Sequence, residues 1–525
     1  MKSYSPYVSL PELMEIRAER APDALAVDVC GERRTYAQLS ERAARIQEWL
    51  LQVGVRPGQH VALMMRNRVE FVEAFLGLAR LGAVAVPVNT STVGEALHYT
   101  LEHSESVGII ADVDLLAAVD QAGQIERIRW SVAAGGHAQG AVPFADLVDP
   151  ALGNVSPQLL EGSAPLGIIY TSGTTGPPKG VVLSHTSYLS TGAYFSRHLG
   201  LTDGDVIHTC LPLFHCNAQQ TSLMAGLHLG APVHVDLKFS TRNFWSWIER
   251  SQATITNVLG TMLILLSKLP ESDGERQASL RYMLGAPVPE SLHRRLEKRY
   301  AVRIVEGYGL TETGTMACIN PPRDTRPGTL GLALEHNELR VVNELDEPVL
   351  DGTPGQILTR TRIADAYMTG YFKEPEKTAE AMAGGWFHTG DMGLRRPDGY
   401  FVFLDRMKDT IRRRGENISS YFVEKAVSEH PDVLDVAAVG VPSELGEEDV
   451  KILVIRRPGT SLDAEEVSAW CESRLSDFMQ PRFIEFREDF PRTETGRIHK
   501  YILRRDGAGN AWDRDAARSQ GVSNG

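Results

Sequence analysis

The sequence is short of the features that mark secreted, membrane-spanning or nucleic-acid-binding proteins. Its five cysteines are scattered without a C-x-x-C pair, which argues against a disulfide framework or a structural zinc site. No apolar run approaches the length of a membrane span, and the start at Met1 lacks the apolar core of a signal peptide. The net charge of −13 disfavours nucleic acid and anionic membranes as partners. We therefore expect a cytoplasmic protein without such partners, either a monomer or a homodimer.

The composition is that of a globular protein with more than one domain. With 525 residues, the chain is too long for a single hydrophobic core. Near the N-terminus, residues 61–65 have the pattern of a buried strand, residues 69–81 that of a helix ending at Gly82, and residues 83–88 that of another strand. A βαβ unit of this kind predicts a parallel sheet covered by helices.

The C-terminal part has its own pattern and indicates a small α+β domain. Its predicted elements are a helix at 422–430, strands at 433–441 and 450–455, a helix at 463–476 and a strand at 483–486. Beyond Asp506 the chain is rich in Gly, Asn and Arg, which predicts a frayed tail.

Residues 170–185 (YTSGTTGPPKGVVLSH) form the most informative stretch. Small, hydroxylated, Gly and Pro residues occupy positions 171–177, between two apolar runs. Backbone N–H groups and hydroxyls followed by Lys179 suit a polyphosphate ligand. The β-branched residues after Lys179 predict a strand, so the segment is a strand–loop–strand and not a nucleoside triphosphatase P-loop. Ser184 is then a plausible N-cap for a helix.

Four further motifs follow this loop along the chain. They are residues 306–313 (EGYGLTET), 385–391 (GWFHTGD), 405–409 (DRMKD) and 491–498 (PRTETGRI). In this order and spacing they resemble the adenylate-forming superfamily of acyl- and aryl-CoA synthetases, peptide-synthetase adenylation domains and beetle luciferases. The spacing, and the neighbourhood of Leu213, Phe214 and His215, are most similar to stand-alone acid–CoA ligases of the carnitine-CoA ligase type.

The resemblance implies an α/β fold with two moving parts. A large N-terminal domain of parallel-rich sheets with helices and a small β-subdomain would span residues 1–405, with a hinge at 406–409 in which Lys408 takes the hinge position. A small mobile α+β domain would span 410–506, followed by a disordered tail at 507–525.

The resemblance also implies a two-step reaction. An acid would attack the α-phosphorus of ATP to give an adenylate and pyrophosphate, and the thiol of coenzyme A would then displace AMP. Implied partners are a small-molecule acid, ATP, Mg²⁺ and coenzyme A. Glu312 would help carry Mg²⁺, and Thr311 would contact the α-phosphate. The phosphate contacts would come from Thr171, Ser172, Gly173, Thr174, Thr175, Gly176 and Lys179.

The remaining nucleotide contacts are implied in the same way. Asp391 would bridge the two ribose hydroxyls, and Arg406 would also reach the nucleotide. Tyr308 offers an aromatic face to adenine, and the slot around it would be formed by Gly285, Ala286, Pro287, Glu306, Gly307 and Gly309.

The acid and the acceptor thiol have predicted sites of their own. His215 matches a position beside the acyl pocket, whose other predicted residues are Asn217, Gln219, Leu259, Gly260 and Met262. The polar run at 217–220 argues against a long alkyl tunnel and favours a small polar or aromatic acid. Gly415 matches a position where pantetheine passes. The arginines at 412–414 either pair with phosphates of coenzyme A or form a solvated face.

One residue departs from the family pattern. Arg497 stands where the family has a lysine that bridges ATP and the carboxylate, and a guanidinium fork does not reproduce the geometry of an ammonium. Lys500 would be a poor substitute on an extended segment, where odd offsets point to opposite faces. Three consequences are open. Arg497 bridges ATP and the carboxylate more slowly than lysine would, which we prefer, or adenylation is weakened in favour of thioester formation. In the third case the activated oxyanion is not a carboxylate, and nitrite is one example.

Two other functions stay open at this stage. The chain is an adenylating enzyme that passes its activated group to an amine, a carrier thiol or oxygen, or it is a non-catalytic nucleotide-binding homologue. Thr311, Glu312, Asp391 and Lys179 count against the second alternative, because packing alone does not require a complete set of residues for Mg²⁺ and ATP.

Overall fold

The computed structural model describes most of the chain. Described are residues 4–171, 177–276, 279–285, 288, 290–314, 316–407, 411–413, 416–418, 420–443, 448–477, 479–492 and 498–517. The chain divides into two compact units. One comprises Met1–Leu339 with Thr359–Phe387, and the other comprises Arg340–Leu358 with His388–Gly525.

The sheet that carries the glycine- and threonine-rich loop lies in the first unit. Among the described residues it runs in the order Gly370–Tyr371, Lys179–Ser184, Pro165–Thr171, Val84–Pro87, His60–Met64, Ser106–Asp112, Ser131–Ala134 and Val142–Pro143. The strands His60–Met64 and Val84–Pro87 are parallel and are joined by the helix Val69–Leu81. This confirms the predicted βαβ unit, and Gly82 ends the helix in the left-handed region at φ 74°.

A second large sheet of the first unit is also mainly parallel. Its order is Arg303–Val305, Tyr282–Leu284, Ile255–Asn257, Ile207–Thr209, Val233–Val235, Leu25–Val29 and Glu32–Thr35, with the last strand antiparallel. A smaller antiparallel sheet joins Gly307–Tyr308, Cys318–Ile319 and Leu332–Ala333. These sheets and their helices confirm the predicted α/β class.

Helices cover the sheets of the first unit, and several begin where capping residues predict. Ser184 accepts the N–H of Ser187 at 3.0 Å and so caps the helix His185–Leu199, as expected from the sequence. The α-helices are Leu10–Arg20, Tyr36–Gln52, Val69–Leu81, Gly94–His103, Leu116–Gln121, His185–Leu199, Ala225–Leu229, Phe244–Ser251, Gly260–Ser267, Glu290–Tyr300 and Pro375–Ala381. Asn217–Met224 is a π-helix, and short 3₁₀ turns occupy Phe144–Val148, Asp273–Glu275, Thr311–Thr313 and Ala383–Gly385.

The second unit is built around two further sheets. Strands Asn337–Val342, Gly355–Thr361, Phe387–Arg395 and Phe401–Arg406 form one sheet, most of whose residues belong to this unit. Val433–Pro442, Glu448–Arg456, Phe483–Phe486 and Trp512–Asp513 form the other. A hairpin joins Ile411–Arg413 with Glu416–Ile418, and the helices are Ser420–Ser428, Ala464–Glu472 and Lys500–Arg505.

The predicted elements of this unit exist, but some of their ends differ. The first helix begins at Ser420 and not at residue 422, because the Asp405 carboxylate accepts the Ser420 N–H at 2.8 Å and caps the helix from a distant position in the sequence. The next helix ends at Glu472 and not at residue 476, where Ser473 and the following polar residues favour a turn.

The chain beyond Asp506 is not uniformly the tail that its composition predicted. Trp512–Asp513 pairs antiparallel with Phe483–Phe486, and Arg514 is buried and donates to Gln480 Oε1 at 3.1 Å. Ion pairs and one strand edge therefore hold residues that have little apolar content.

Among the helices that the structure describes, none combines the length and the apolar character needed to cross a bilayer.

Candidate active site

The ends of the glycine- and threonine-rich loop are fixed by one antiparallel strand pair. Thr171 is the last residue of its strand and faces Lys179, the first residue of the next. This is the strand–loop–strand arrangement that the sequence predicted. Ser172, Gly173, Thr174, Thr175 and Gly176 lie outside the described residues. The Lys179 ammonium lies 4.4 Å from the centre of the Tyr371 ring, and none of the described carboxylates lies within salt-bridge distance of it.

Glu312 stands on a short turn beside this strand pair. The turn Thr311–Thr313 is closed by the Thr313 hydroxyl, which accepts the Leu310 N–H at 2.9 Å, and it ends at Gly314 in the left-handed region. The Tyr371 hydroxyl donates to Glu312 Oε1 at 3.0 Å. Burial and the neighbouring Glu312 carboxylate raise the pKa of Tyr371, so this phenol is a neutral donor at physiological pH.

Sequence reasoning missed Tyr371, which contacts two predicted site residues at once. It lies on the two-residue strand Gly370–Tyr371, which pairs with Val181 and Val182 at the edge of the sheet. Fifty-nine positions separate it from Glu312, so no local spacing signals the contact. Only the register of this edge strand brings the ring to Lys179 and the hydroxyl to Glu312.

The segments predicted to form the adenine slot converge in the first unit. Gly285 follows the strand Tyr282–Leu284, and a Cβ there would come within 3.0 Å of the Val258 carbonyl oxygen. Tyr308 is partly buried and pairs with Cys318. At Gly307 a Cβ would meet Met316 Sδ at 2.9 Å, so a side chain at either glycine would force neighbouring atoms to shift. Ala286 and Pro287 lie outside the described residues.

Glu306 is a buried carboxyl that connects these segments. Its Oε2 accepts the Val288 N–H at 3.0 Å, and its Oε1 lies 3.7 Å from His293 Nε2. Its backbone carbonyl accepts the Asn320 N–H at 2.8 Å. Burial raises the pKa of Glu306 to about 7, with the backbone donors of Val288 and Gly328 opposing the shift.

The predicted acid-binding residues gather at the start of the π-helix. His215 precedes Cys216, whose Sγ lies 3.5 Å from the Thr311 hydroxyl. Asn217 begins the π-helix and accepts the Thr221 hydroxyl at 2.8 Å. The contact between Cys216 and Thr311 places the N-terminal end of the π-helix beside Thr311. Short π-helical segments frequently occur at functional sites.

Gln219, another predicted pocket residue, is hydrogen-bonded to two neighbouring protein groups. It is fully buried, accepts the Tyr188 hydroxyl at 2.6 Å and donates to the Leu213 carbonyl at 2.6 Å. The other predicted pocket residues surround the start of a neighbouring helix. Leu259 precedes Gly260–Ser267, its N–H donates to Met262 Sδ at 3.5 Å, Gly260 is buried, and Leu259 and Met262 are partly buried.

The predicted ribose-binding pair lies within the second unit. Asp391 and Arg406 face each other on paired strands, with Arg406 Nε 2.8 Å from Asp391 Oδ1. Asp391 is 1% exposed, and its N–H donates to the Thr389 hydroxyl at 3.1 Å. The structure therefore brings these two predicted residues together.

Lys500 belongs to a charged cluster in the second unit. Its ammonium lies 2.8 Å from Glu424 Oε1 and donates to the Ser420 hydroxyl, which in turn donates to Asp405. Lys500 begins the helix Lys500–Arg505, so the extended segment assumed from the sequence is wrong at this residue. The cluster engages the ammonium of Lys500, and that Lys500 is a poor substitute for the lysine of the family pattern stays a prediction.

Arg413, the middle residue of the arginine run at 412–414, is buried. Its side chain is 2% exposed, lies 3.1 Å from Asp449 and donates to the Gln480 carbonyl at 2.9 Å. Arg413 is therefore not part of a solvated face, and Arg414 lies outside the described residues, so pairing of this run with phosphates of coenzyme A stays a prediction. Lys408, Gly415 and Arg497 lie outside the described residues.

Sequence comparison assigns the chain to a family that agrees with this fold and site. The AMP-binding enzyme family matches residues 14–372, and the AMP-binding enzyme C-terminal domain matches residues 423–497. The chain therefore belongs to the AMP-binding enzymes, which confirms the resemblance seen in the motifs. Crotonobetaine/carnitine–CoA ligases of Escherichia coli O1:K1 and of Shigella flexneri are each 32% identical to it, over 90% of this chain and 93% of theirs.

Solved structures agree with this assignment. The anthranilate CoA ligase AuaEII in complex with anthranoyl-AMP superposes with a TM-score of 0.87, at 26% identity, covering 95% of this chain and 97% of that one. ATP-bound MatB from Rhodopseudomonas palustris gives a TM-score of 0.84 at 27% identity, with 94% and 98% covered.

Proposed function

We propose that this protein is an ATP-dependent acid–CoA ligase. In the first step a carboxylate oxygen of the acid attacks the α-phosphorus of ATP, the bond to the β-phosphate oxygen breaks, and pyrophosphate leaves. In the second step the sulfur of coenzyme A attacks the acyl carbon, the bond to AMP breaks, and the thiol proton is lost. The observation that carries the proposal is the convergence of Lys179, Tyr371 and Glu312 beside the glycine- and threonine-rich loop, in a chain of the AMP-binding enzyme family.

Charge explains why these groups stand together. Both substrates of the first step are anions, so the site has to neutralise negative charge before attack occurs. The ammonium of Lys179 is available because no described carboxylate pairs with it. We place the β- and γ-phosphates of ATP against it and against the loop, and the α-phosphate at Thr311.

The donor set also fits a magnesium ion that arrives with ATP. Among the described residues no cluster of three or more His, Cys, Asp or Glu side chains forms a protein cage for a metal. Mg²⁺ is commonly held by one or two carboxylates together with substrate phosphates, and Glu312 supplies one such carboxylate. When bound, the ion would neutralise charge on the pyrophosphate leaving group.

The acid that we propose is small and polar or aromatic. His215 and Asn217 flank Cys216, whose Sγ lies 3.5 Å from the Thr311 hydroxyl. The buried Gln219 and Tyr188 are hydrogen-bonded to each other. A long alkyl chain needs an apolar tunnel, and buried amide and hydroxyl groups along this helix do not provide one. His215 is proposed to steer the carboxylate toward the α-phosphate.

The remaining assignments rest on the family pattern. Asp391 is proposed to accept the ribose hydroxyls, with Arg406 holding its carboxylate in place. We propose Gly415 as the point where pantetheine passes, Lys408 as the hinge, and residues 1–405 and 410–506 as the two domains. Arg497 would contact the attacking oxyanion in the first step.

A second function is favoured by one observation. Arg497 replaces the lysine of the family pattern, and the engaged Lys500 does not compensate for it. A planar guanidinium pairs with small planar oxyanions through two parallel hydrogen bonds. The alternative is therefore an enzyme that adenylates a non-carboxylate oxyanion such as nitrite, or that transfers its activated group to an amine.

The proposal is tested by carboxylate-dependent exchange between ATP and pyrophosphate. We expect wild-type protein to catalyse exchange with at least one acid in a panel of small polar, aromatic and fatty acids. Arg497→Lys should keep or raise that exchange if the substrate is a carboxylate. Absence of exchange with every acid, together with nitrite-dependent pyrophosphate release, would favour the second function.

A further inference from the structure

Tyr371 has a geometry that none of the assigned roles uses. Its ring is 7% exposed, its hydroxyl donates to Glu312 at 3.0 Å, and its face lies 4.4 Å from the Lys179 ammonium. These two partners are the carboxylate proposed for Mg²⁺ and the cation proposed for the terminal phosphates. One side chain therefore contacts both charged groups of the phosphate end.

The backbone of Tyr371 is fixed on two sides. The strand Gly370–Tyr371 pairs with Val181 and Val182, and the Tyr371 N–H donates to the Thr378 hydroxyl at 2.9 Å. Gly370 has φ 155°, and a Cβ there would lie 3.1 Å from Thr378 Cγ2. This fixed backbone limits where the ring and hydroxyl can lie, which is what a residue that orients others requires.

The hydroxyl also fixes the direction in which Glu312 points. A carboxylate has two oxygens, and the donor on Oε1 leaves Oε2 as the oxygen free to turn toward a ligand. The Met368 N–H donates to the Glu312 carbonyl at 2.8 Å, so the segment before Tyr371 also holds the backbone of Glu312.

The ring acts on Lys179 through its face. A cation near an aromatic face is attracted by the ring quadrupole while its N–H groups stay free for other acceptors. A carboxylate in the same place would neutralise the ammonium and compete with phosphate for it. The ring therefore holds Lys179 near the loop without consuming its charge.

We propose that Tyr371 is a positioning residue for the magnesium–ATP complex, its hydroxyl orienting Glu312 and its ring holding Lys179. The inference rests on the proposed function for the ATP site, but it does not depend on which acid or acceptor is used. It predicts that the two parts of the side chain serve different ligands: the hydroxyl serves Mg²⁺, and the ring serves phosphate.

The test is the affinity of the full-length chain for ATP, measured by calorimetry in Mg²⁺ and in EDTA without any acid. Tyr371→Phe keeps the ring and loses the hydroxyl, so we expect binding about tenfold weaker in Mg²⁺ and unchanged in EDTA. Tyr371→Leu loses both parts and should also weaken binding in EDTA. Tyr367→Phe is the matched control, because Tyr367 is buried and its hydroxyl is hydrogen-bonded to the Thr359 hydroxyl and not to the Glu312 carboxylate.

A double-mutant cycle separates positioning from a general loss of stability. Glu312→Gln and Tyr371→Phe should each reduce the gain in ATP affinity that Mg²⁺ gives, and the double variant should be no worse than Glu312→Gln alone. Thermal unfolding of each variant provides the check on folding. The inference fails if Tyr371→Phe keeps the magnesium dependence of the wild type, or loses affinity equally in Mg²⁺ and EDTA. Wild type that binds ATP but activates no acid would contradict the proposed function and leave this inference standing.

Discussion

Lys179 and Lys500 carry the same ammonium in very different surroundings. Lys179 lies over an aromatic face, and no described carboxylate pairs with it. Lys500 is 15% exposed on its side chain, pairs with Glu424 at 2.8 Å and donates to Ser420, with Asp405 at 4.0 Å. The first cation is free to meet a phosphate, and the second has its partners within the protein.

The contacts of a lysine ammonium within the protein, and not its position in a motif, indicate whether it can bind a ligand. Lys500 lies three residues from the position where the family pattern has its catalytic lysine, yet its charge balances Glu424. Burial raises the pKa of Glu424, and Lys500 lowers it in part. A buried carboxyl of this kind would be costly without its cation.

The largest expected effect is that of Lys179→Met. Removing a preorganised cation from a site that neutralises phosphate charge should reduce pyrophosphate exchange about 10²- to 10³-fold. ATP affinity measured by calorimetry should fall as well. Lys377→Met is the control, because Lys377 lies on the surface helix Pro375–Ala381 and pairs with Glu374, three residues before it. Wild-type ATP affinity in Lys179→Met would show that this ammonium does not meet phosphate.

Lys500→Met should act on stability instead. It leaves Glu424 and Asp405 without their cation, and we expect a loss of about 3 kcal/mol in the free energy of unfolding by urea. The affinity for ATP at low temperature should stay unchanged. Lys425→Met is the matched control, since Lys425 is exposed and follows Glu424 on the helix Ser420–Ser428. If Lys500→Met weakened ATP binding without changing stability, the contrast between the two lysines would be wrong.

Glu306→Gln tests a buried carboxyl whose Oε1 lies 3.7 Å from His293 Nε2, an imidazole whose own pKa is lowered chiefly by burial. The pKa of Glu306 is raised to about 7, so the folded state binds its proton more tightly than the unfolded state does. Its contribution to stability is therefore most favourable at low pH and is lost as pH rises toward the folded pKa. The glutamine variant should gain roughly 2–3 kcal/mol relative to wild type between about pH 5 and pH 8. A constant difference across this range, in urea titrations, would contradict the assigned burial.

Thr35→Ala sets the scale for an exposed polar contact. The Thr35 hydroxyl accepts the Gln38 N–H, and Gln38 Oε1 accepts the Thr35 N–H at 2.9 Å. The two bonds form a capping box at the start of the helix Tyr36–Gln52. Its loss should cost about 1 kcal/mol of unfolding free energy, less than the loss of Lys500. An effect as large as that of Lys500→Met would remove the distinction between surface and buried contacts drawn here.

Local signals predicted the elements that depend on neighbours in sequence. The helix Val69–Leu81, its stop at Gly82 and the cap at Ser184 all follow from periodicity and capping. The strand pair around the loop followed from the apolar runs on either side. In each case the residues that decide the structure lie within a few positions of one another.

Long-range contacts could not be predicted in this way. The start of the helix at Ser420 depends on Asp405, and the place of Tyr371 depends on the register of an edge strand. From the sequence, Arg413 resembles an exposed charge, but in the structure it is buried and pairs with Asp449 on another strand. Pairings of this kind are set by tertiary packing, which short-range patterns do not encode.

The most direct test of the central claim is a pyrophosphate-release screen with ATP and Mg²⁺ across small polar, aromatic and fatty acids, with and without coenzyme A. We expect a small polar or aromatic acid to release pyrophosphate, and coenzyme A then to release AMP and form a thioester identified by mass spectrometry. The proposed acid–CoA ligase activity would be contradicted if none of the acids in the panel supported pyrophosphate release, or if coenzyme A did not discharge the adenylate.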